Sequence, residues 1–128
     1  MNETNQASLR GVDAIRGYHA HVYFDASTRR AAETLREAIG ALFDVEVGCM
    51  FDHAHGPHSQ PMYQVAFGTD ELAKLVPWLM LNRNGLSIIV HPRTDDEIAD
   101  HLENPLWLGT PVPFDAEYIR QYMKERER

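Results

Sequence analysis

Two of the chain's seven histidines, His19 and His21, are spaced so that they can act together. They lie in the segment YHAHVYF at 18–24, whose aromatic and β-branched residues predict a short strand. Alternate side chains of a strand point to the same side, so the two imidazoles would stand about 6–7 Å apart at the backbone. Neutral imidazoles at that spacing can bind one metal ion, and metal binding is the first chemistry that the sequence indicates.

A third histidine, His91, ends a second apolar segment, LSIIVH, that also predicts a strand. Alternation places His91 on the polar side of its strand, away from Ile88 and Val90. If the two strands are neighbours, three imidazoles meet near one end of a sheet face. Exposed polar surface remains the alternative interpretation of each histidine taken alone. It is the preferred one for His53 and His55, in a Gly- and Pro-containing loop, and for His101, on a short helix.

The elements that would position these residues follow a recognisable order. Strands are predicted at 18–24, 45–51, 62–67 and 86–91, with helical apolar spacing at 28–42 and from Thr69 to a stop signal at 82–85. The order β-α-β-β-α-β predicts an α+β, ferredoxin-like antiparallel sheet of four strands with both helices on one face. The first and third strands would be central, with the fourth beside the first.

Two predicted additions follow this core. Residues 94–97, TDDE, match a capping box before a short helix, and 115–127 can form a charged terminal helix. Residues 105–114 are expected to be an apolar loop. The sheet face without helices must meet water, this C-terminal segment or a second subunit, so a homodimer is expected.

The amino-acid composition limits the classes of function that the chain is expected to have. The chain has 12 basic and 19 acidic residues and a net charge of −7, which disfavours binding to nucleic acid or to anionic membranes. The single cysteine, Cys49, allows no intrachain disulfide and is expected to be a small buried residue. Residues 1–16 are expected to be a flexible arm without a secretory signal. With no apolar run near 20 residues, a cytoplasmic protein is expected.

Four sequence blocks carry a family resemblance. They are GYHAHVYFD at 17–25, GPHSQPMYQVAF at 56–67, VPWLMLNRNGLSIIVHP at 76–92, and DH with LWLG within 100–109. Taken in this order, they resemble the DOPA 4,5-dioxygenase family from about Gly17 to Pro113. The resemblance implies one DOPA dioxygenase-like domain over 17–128. It also implies a non-haem Fe(II) enzyme that opens the ring of a catechol, such as DOPA, beside its diol with O₂.

The resemblance also implies roles for the histidines inside the matched blocks, which include His101. We expect His19, His21 and His91 to be the iron ligands, since they share a predicted sheet face, and His58 to be the acid/base catalyst. No carboxylate in the blocks is an obvious ligand, although Glu46 could complete the site.

Several alternatives stay open beside these roles. The imidazoles also suit zinc, copper or nickel. Asn82 and Arg83 could orient a substrate carboxylate, but the end of a helix explains them equally well. The alternative functions are a non-catalytic ligand- or metal-binding ferredoxin-like dimer module and a metal-free isomerase or small oxygenase with histidine as the acid/base.

Overall fold

Five antiparallel strands form one sheet in the computed structural model of the chain, which describes residues 9–127. The strands are β1 (Tyr18–Tyr23), β2 (Glu46–Val47), β3 (Met62–Phe67), β4 (Ile88–Pro92) and β5 (Leu106–Leu108). The helices are α1 (Arg29–Leu42), α2 (Thr69–Asn82), α3 (Glu97–Leu102) and α4 (Ala116–Glu127), preceded by a 3-10 turn at Val12–Ala14. The strand order β2-β3-β1-β4-β5 confirms the predicted ferredoxin-like α+β plan, with β1 and β3 inside and β4 beside β1.

The fifth strand corrects the expectation of a four-stranded sheet. Leu106 pairs with Val90 and Leu108 pairs with Ile88, so part of the predicted apolar loop continues the sheet. Without this strand, the N–H and C=O groups along the outer edge of β4 would be left unpaired. The strand has only three residues, Leu106–Leu108, and prolines flank it. Three residues are too few for an alternating pattern to predict a strand.

The second predicted strand, 45–51, is also shorter than expected, because the chain bulges after Val47. The Gly48 N–H donates to the Gln64 carbonyl at 2.8 Å and the Phe51 N–H donates to the Met62 carbonyl at 2.9 Å. Between these two hydrogen bonds the edge segment advances three residues, from Gly48 to Phe51, whereas β3 advances only two, from Gln64 to Met62. One extra residue on the edge segment is typical of a β-bulge. In this bulged edge segment Cys49 is exposed, so the expectation of a buried cysteine is wrong.

The main core lies between α1, α2 and one face of the sheet. Helix α1 contributes Ala32, Leu35 and Ile39, and α2 contributes Leu75, Val76 and Leu79. From β1 the same cluster takes Ala20 and Val22. The intervening residues His19 and His21 must therefore face the opposite side, as the alternation predicts.

The opposite face is partly covered by the C-terminal segment. Tyr23, Met62, Ile89 and Val112 form a second, smaller buried cluster, against which Phe51, Trp107 and Phe114 also pack. A bare sheet face is the basis for expecting a homodimer, and the C-terminal segment covers part of that face within the chain. The dimer stays a prediction. No helix within 9–127 is long and apolar enough to cross a membrane.

Helix α3 begins differently from the predicted capping box. The Asp96 carboxylate accepts a hydrogen bond from the Ala99 N–H at 3.1 Å, so Asp96 is the cap. Thr94 instead donates twice to Asp100, from its N–H at 2.8 Å and from its hydroxyl at 2.5 Å. The Asp100 side chain is buried, and these two bonds tie α3 to the end of β4.

Replacing Asp100 by alanine is expected to lower the free energy of unfolding by about 2–3 kcal/mol, because two donors of Thr94 lose their buried acceptor. Urea unfolding followed by circular dichroism measures the change. The matched control is Asp44→Ala, at an exposed carboxylate, with an expected change within about 0.5 kcal/mol. Equal effects of the two substitutions would contradict a structural role for Asp100.

The flexible arm predicted for residues 1–16 is described only in part. Residues 1–8 lie outside the described range, and Val12–Ala14 form the 3-10 turn. At the end of the arm, Arg16 donates from its backbone N–H to the Arg93 carbonyl at 2.8 Å. The flexibility of the arm stays a prediction.

Candidate active site

A cavity of about 510 Å³ opens on the histidine-bearing face of the sheet. Strands β1 and β4 form its floor, while the loop at 55–58, helix α3 and helix α4 supply its walls. Its histidines are His19, His21, His55, His58, His91 and His101. A volume in this range is typical of small-molecule sites.

The pairing of β1 with β4 brings three predicted ligands together. His19 lies directly opposite His91 in the antiparallel register, and His21 follows two residues later on the same face. One ring nitrogen from each of the three histidines lies within 4.8 Å of the other two. The structure therefore groups His19, His21 and His91 as the sequence predicts.

His58 reaches the cavity from a tight hairpin. His55 and His58 exchange both backbone hydrogen bonds, at 3.2 and 3.0 Å, across the two-residue turn Gly56-Pro57. Gly56 has φ 58°, which suits the first central position of a type II′ turn, and the proline ring fixes the second. His58 also bridges to Phe114, so the C-terminal segment holds the hairpin against the sheet.

A buried tyrosine orients the ring of His58. The hydroxyl of Tyr23 and Nδ1 of His58 lie 2.8 Å apart and share a hydrogen bond. Burial raises the pKa of Tyr23, so its hydroxyl keeps its proton at neutral pH. With Nδ1 engaged in this way, Nε2 is the nitrogen of His58 left for the cavity.

His101 is also part of the site, although its placement alone indicates a surface residue. Its Nδ1 lies 2.7 Å from the Glu97 carbonyl, one turn earlier in α3. One nitrogen each of His21, His58 and His101 forms a second group within 4.8 Å. Only the family motif identified His101, since a lone histidine on a six-residue helix carries no spacing signal.

Backbone carbonyls fix which nitrogen of two rings carries the proton. The Pro92 carbonyl lies 2.9 Å from Nδ1 of His91, and a carbonyl can only accept. Nδ1 is therefore protonated, and the lone pair of the His91 ring lies on Nε2. The same reasoning applies to His101 and the Glu97 carbonyl. Such bonds to the far nitrogen are typical of metal-binding histidines.

The spacing of two nitrogens fits a shared cation. Nε2 of His21 and Nε2 of His91 lie 3.1 Å apart. Two nitrogens bonded to one ion at about 2.0–2.1 Å, with an angle between right and tetrahedral, would be separated by about 3 Å. The remaining nitrogen of His21, Nδ1, is buried and has no hydrogen-bond partner among the described residues. The donor set therefore fits a metal ion that prefers imidazole.

Four histidines of the cavity, His19, His21, His58 and His91, have pKa values lowered by burial and are neutral at pH 7. Burial, followed by the charge of Arg93, lowers the pKa of His19 to about 4. Burial, followed by the charge of His101, lowers the pKa of His58 to about 4 and that of His91 to about 3. Burial also holds the pKa of His21 well below its usual value. Neutral imidazole is the form that binds metals. Because these rings are already neutral, a metal ion would not have to displace protons from them in order to bind.

Several other candidates lie outside this arrangement. Glu46 lies opposite Ala66 of β3, and Ala66 lies opposite His19 of β1, so the Glu46 side chain is on the same face as the histidines. It is two strands away from His19, however, and does not line the cavity. His53 does not line the cavity either. His55 does, as an exposed ring stacked on Phe51 with centroids 3.9 Å apart.

Asn82 and Arg83 have structural roles at the end of α2. The Asn82 amide donates to the Trp78 carbonyl at 2.9 Å, and the Arg83 guanidinium donates to the Leu86 carbonyl at 3.0 Å. Neither residue lines the cavity. The cavity's own cations are Arg16 and Arg93, which no sequence motif singled out.

Comparison with known proteins agrees with this geometry. The family model described as "Dopa 4,5-dioxygenase family" matches residues 18–118, most of the chain. The chain belongs to the Dopa 4,5-dioxygenase family. The matched region contains every histidine of both three-residue groups.

Relatives of this Dopa 4,5-dioxygenase family chain include an enzyme, an uncharacterised protein and a solved structure. A DOPA 4,5-dioxygenase from Amanita muscaria is 32% identical over 108 residues, covering 77% of the chain and 47% of the enzyme. An uncharacterised 21.2 kDa protein from Botryotinia fuckeliana is 28% identical over 125 residues, covering 88% of the chain and 68% of that protein. The chain thus spans about half to two thirds of these relatives.

The structural relative comes from Nostoc punctiforme PCC 73102. It is the crystal structure of a protein described as a proposed dioxygenase, with a TM-score of 0.86 and 49% sequence identity. The match covers 89% of the chain and 99% of that structure. Membership of a dioxygenase family therefore rests on both sequence and fold.

Proposed function

We propose that the protein is a non-haem Fe(II) extradiol dioxygenase that opens the ring of a catechol, DOPA or a similar compound, with O₂. His19, His21 and His91 would hold the iron, and His58 would act as the acid/base catalyst. In the balanced reaction, one O₂ adds to one catechol, the ring bond beside the diol breaks, and both oxygen atoms enter the product.

One observation carries this proposal. Three imidazoles, of His19, His21 and His91, form a group on the cavity floor. Nε2 of His91 is unprotonated and lies 3.1 Å from Nε2 of His21, and His19 lies opposite His91. Three protein ligands on one side leave positions for a diol and dioxygen on the other. Bound Fe(II) would lower the pKa of a catechol hydroxyl and hold the two reactants together.

His58 is placed to move a proton. Its ring centroid lies 4.2 Å from that of His21, so its Nε2 lies close to the ligand group without belonging to the β1–β4 pair. The His58 ring is neutral, and in the tautomer in which Nδ1–H donates to the Tyr23 oxygen, Nε2 has a lone pair that can accept the second hydroxyl proton of a catechol and return it to the product. The hydrogen bond with the Tyr23 hydroxyl restrains the orientation of the ring.

The reaction itself is tested on metal-loaded protein. The chain is loaded with Fe(II) without oxygen and mixed with O₂ and DOPA, 4-methylcatechol or 3,4-dihydroxyphenylpropanoate, with oxygen uptake and the ring-opened product measured together. We expect one O₂ consumed per catechol opened. Verified iron binding without oxygen uptake on any catechol would reject the proposal and support the non-catalytic metal-binding module. Full turnover after exhaustive chelation would contradict the proposed requirement for iron.

Replacing Tyr23 by phenylalanine is expected to reduce kcat about tenfold and leave KM nearly unchanged. The substitution removes the hydroxyl that fixes the His58 ring, while Tyr23 does not line the cavity. Steady-state kinetics with the best catechol measures both constants.

A second buried tyrosine provides the matched control. The Tyr63 hydroxyl donates to the Ala32 carbonyl at 3.0 Å, on the helix side of the sheet. Tyr63→Phe loses a comparable buried hydrogen bond, with an expected cost of about 1 kcal/mol in stability and no change in kcat. If the two substitutions lower kcat equally, Tyr23 has no positioning role.

A further inference from the structure

Helix α4 forms one wall of the cavity but is only lightly packed against the rest of the protein. Tyr118, Ile119 and Tyr122 line the cavity from this helix. Ile119 and Tyr122 are half-buried, Tyr118 is 42% exposed, and no α4 side chain that the structure describes is buried. By contrast, α1 and α2 each bury three apolar residues in the main core. The apolar burial that holds α1 and α2 in place is therefore largely missing from α4.

The first residues of α4 are fixed to the hairpin that carries His58. The Asp115 N–H donates to the Pro57 carbonyl at 2.8 Å. The Asp115 carboxylate accepts from the N–H groups of Glu117 and Tyr118 at 3.0 and 3.1 Å, as an N-cap does. These bonds give α4 a fixed N-terminal end about which the rest of the helix can move.

The contact at the other side of the cavity is weaker. Two turns after Asp115, about 10 Å along the helix, the Tyr122 hydroxyl donates to the Glu97 carboxylate in the first turn of α3. Helix α4 therefore reaches from the hairpin wall of the cavity to the α3 wall. Glu97 is exposed, so water competes for this bond and the net cost of breaking it is small.

We propose that α4 is a lid on the cavity. It undocks about its Asp115 end while the sheet and the other helices stay folded, and the bond between Tyr122 and Glu97 favours the closed position. A catechol on the histidine floor adds contacts to the α4 wall, so it stabilises the closed lid, which keeps water out of the cavity. Closing over a catechol rests on the proposed function, whereas the opening of α4 does not.

An undocked α4 cannot remain a stable helix. It has 12 residues, Ala116–Glu127, and isolated helices of this length are marginal in water. Opening therefore breaks its backbone hydrogen bonds and exposes its amides to solvent, whereas the amides of α1 exchange only when the main core opens. Amide hydrogen exchange thus measures the opening of the lid separately from unfolding of the domain.

Hydrogen–deuterium exchange followed by mass spectrometry tests the opening without any ligand. We expect the amides of 118–125 to exchange about 100-fold or more faster than those of α1. Tyr122→Phe removes the bond to Glu97 and should speed the exchange of α4 about threefold to tenfold, with α1 unchanged. The matched control is Tyr118→Phe, one turn earlier on the same wall. The Tyr118 hydroxyl makes no hydrogen bond to any residue within 9–127, so this substitution should change the exchange of α4 by less than about twofold.

The closing of the lid is tested on Fe(II)-loaded protein with saturating DOPA and without oxygen, so that no turnover occurs. We expect DOPA to slow the exchange of α4 about tenfold and to leave that of α1 unchanged. Exchange of α4 as slow as that of α1, or an equal effect of the two tyrosine substitutions, would overturn the lid. So would DOPA that binds, as shown by calorimetry, without slowing the exchange of α4. DOPA that does not bind would reject the proposed function, while faster exchange in Tyr122→Phe than in Tyr118→Phe would still support the lid.

Discussion

Replacing His21 by alanine is expected to abolish tight iron binding and to lower kcat/KM by more than about 100-fold. His21 belongs to both three-histidine groups of the cavity, so its loss disrupts the site whichever group holds the metal. Removal of an outer hydrogen-bond partner of a ligand already costs about 10- to 100-fold, and loss of a ligand itself should cost more. Metal content after desalting and oxygen uptake with a catechol measure the two effects.

A histidine outside the cavity supplies the control. His53 is exposed in the loop before the hairpin and does not line the cavity, so His53→Ala should keep both metal and activity. Circular dichroism of both variants shows whether the fold is retained. A folded His21→Ala protein with full iron content would contradict the proposed ligand set.

Replacing His58 by glutamine is expected to lower kcat by about 100- to 10,000-fold while iron remains bound. The amide of glutamine keeps a polar side chain of similar reach but cannot take up a proton at neutral pH, which removes general acid/base catalysis. Metal analysis and single-turnover kinetics on the same sample separate binding from chemistry.

The same variant distinguishes the two histidine groups. If iron is held by His19, His21 and His91, the His58→Gln protein keeps its metal, and His91→Ala loses it. If His21, His58 and His101 are the ligands, the pattern reverses. Loss of iron in His58→Gln, with retention in His91→Ala, would therefore overturn the proposed division of roles.

The order of strands and the floor of the site were predictable from local patterns. In YHAHVYF, alternation alone separates His19 and His21 from Ala20 and Val22, and the β-α-β-β-α-β order places the fourth strand beside the first. These two facts bring His91 opposite His19. Both depend on short-range periodicity, which sequence expresses directly.

The walls of the cavity were not predictable in the same way. Arg93 reaches the site by continuing the β1–β4 pairing beyond a proline, and Tyr118 and Tyr122 line the cavity from α4, which follows the proline-rich segment. Such placements depend on how a loop packs in three dimensions, and no spacing along the chain encodes them. For the same reason, the sequence of β5 indicates a loop rather than a strand.

The structure also explains how one strand serves two purposes. Along β1, Ala20 and Val22 belong to the main core with the helices, whereas His19 and His21 face the cavity. The core residues of β1 and its cavity residues therefore lie on opposite faces of the same strand, separated only by its backbone. The cavity-facing side chains of β1 can therefore change while its helix-facing side chains stay the same, so the strand is suited to diverging toward new reactions.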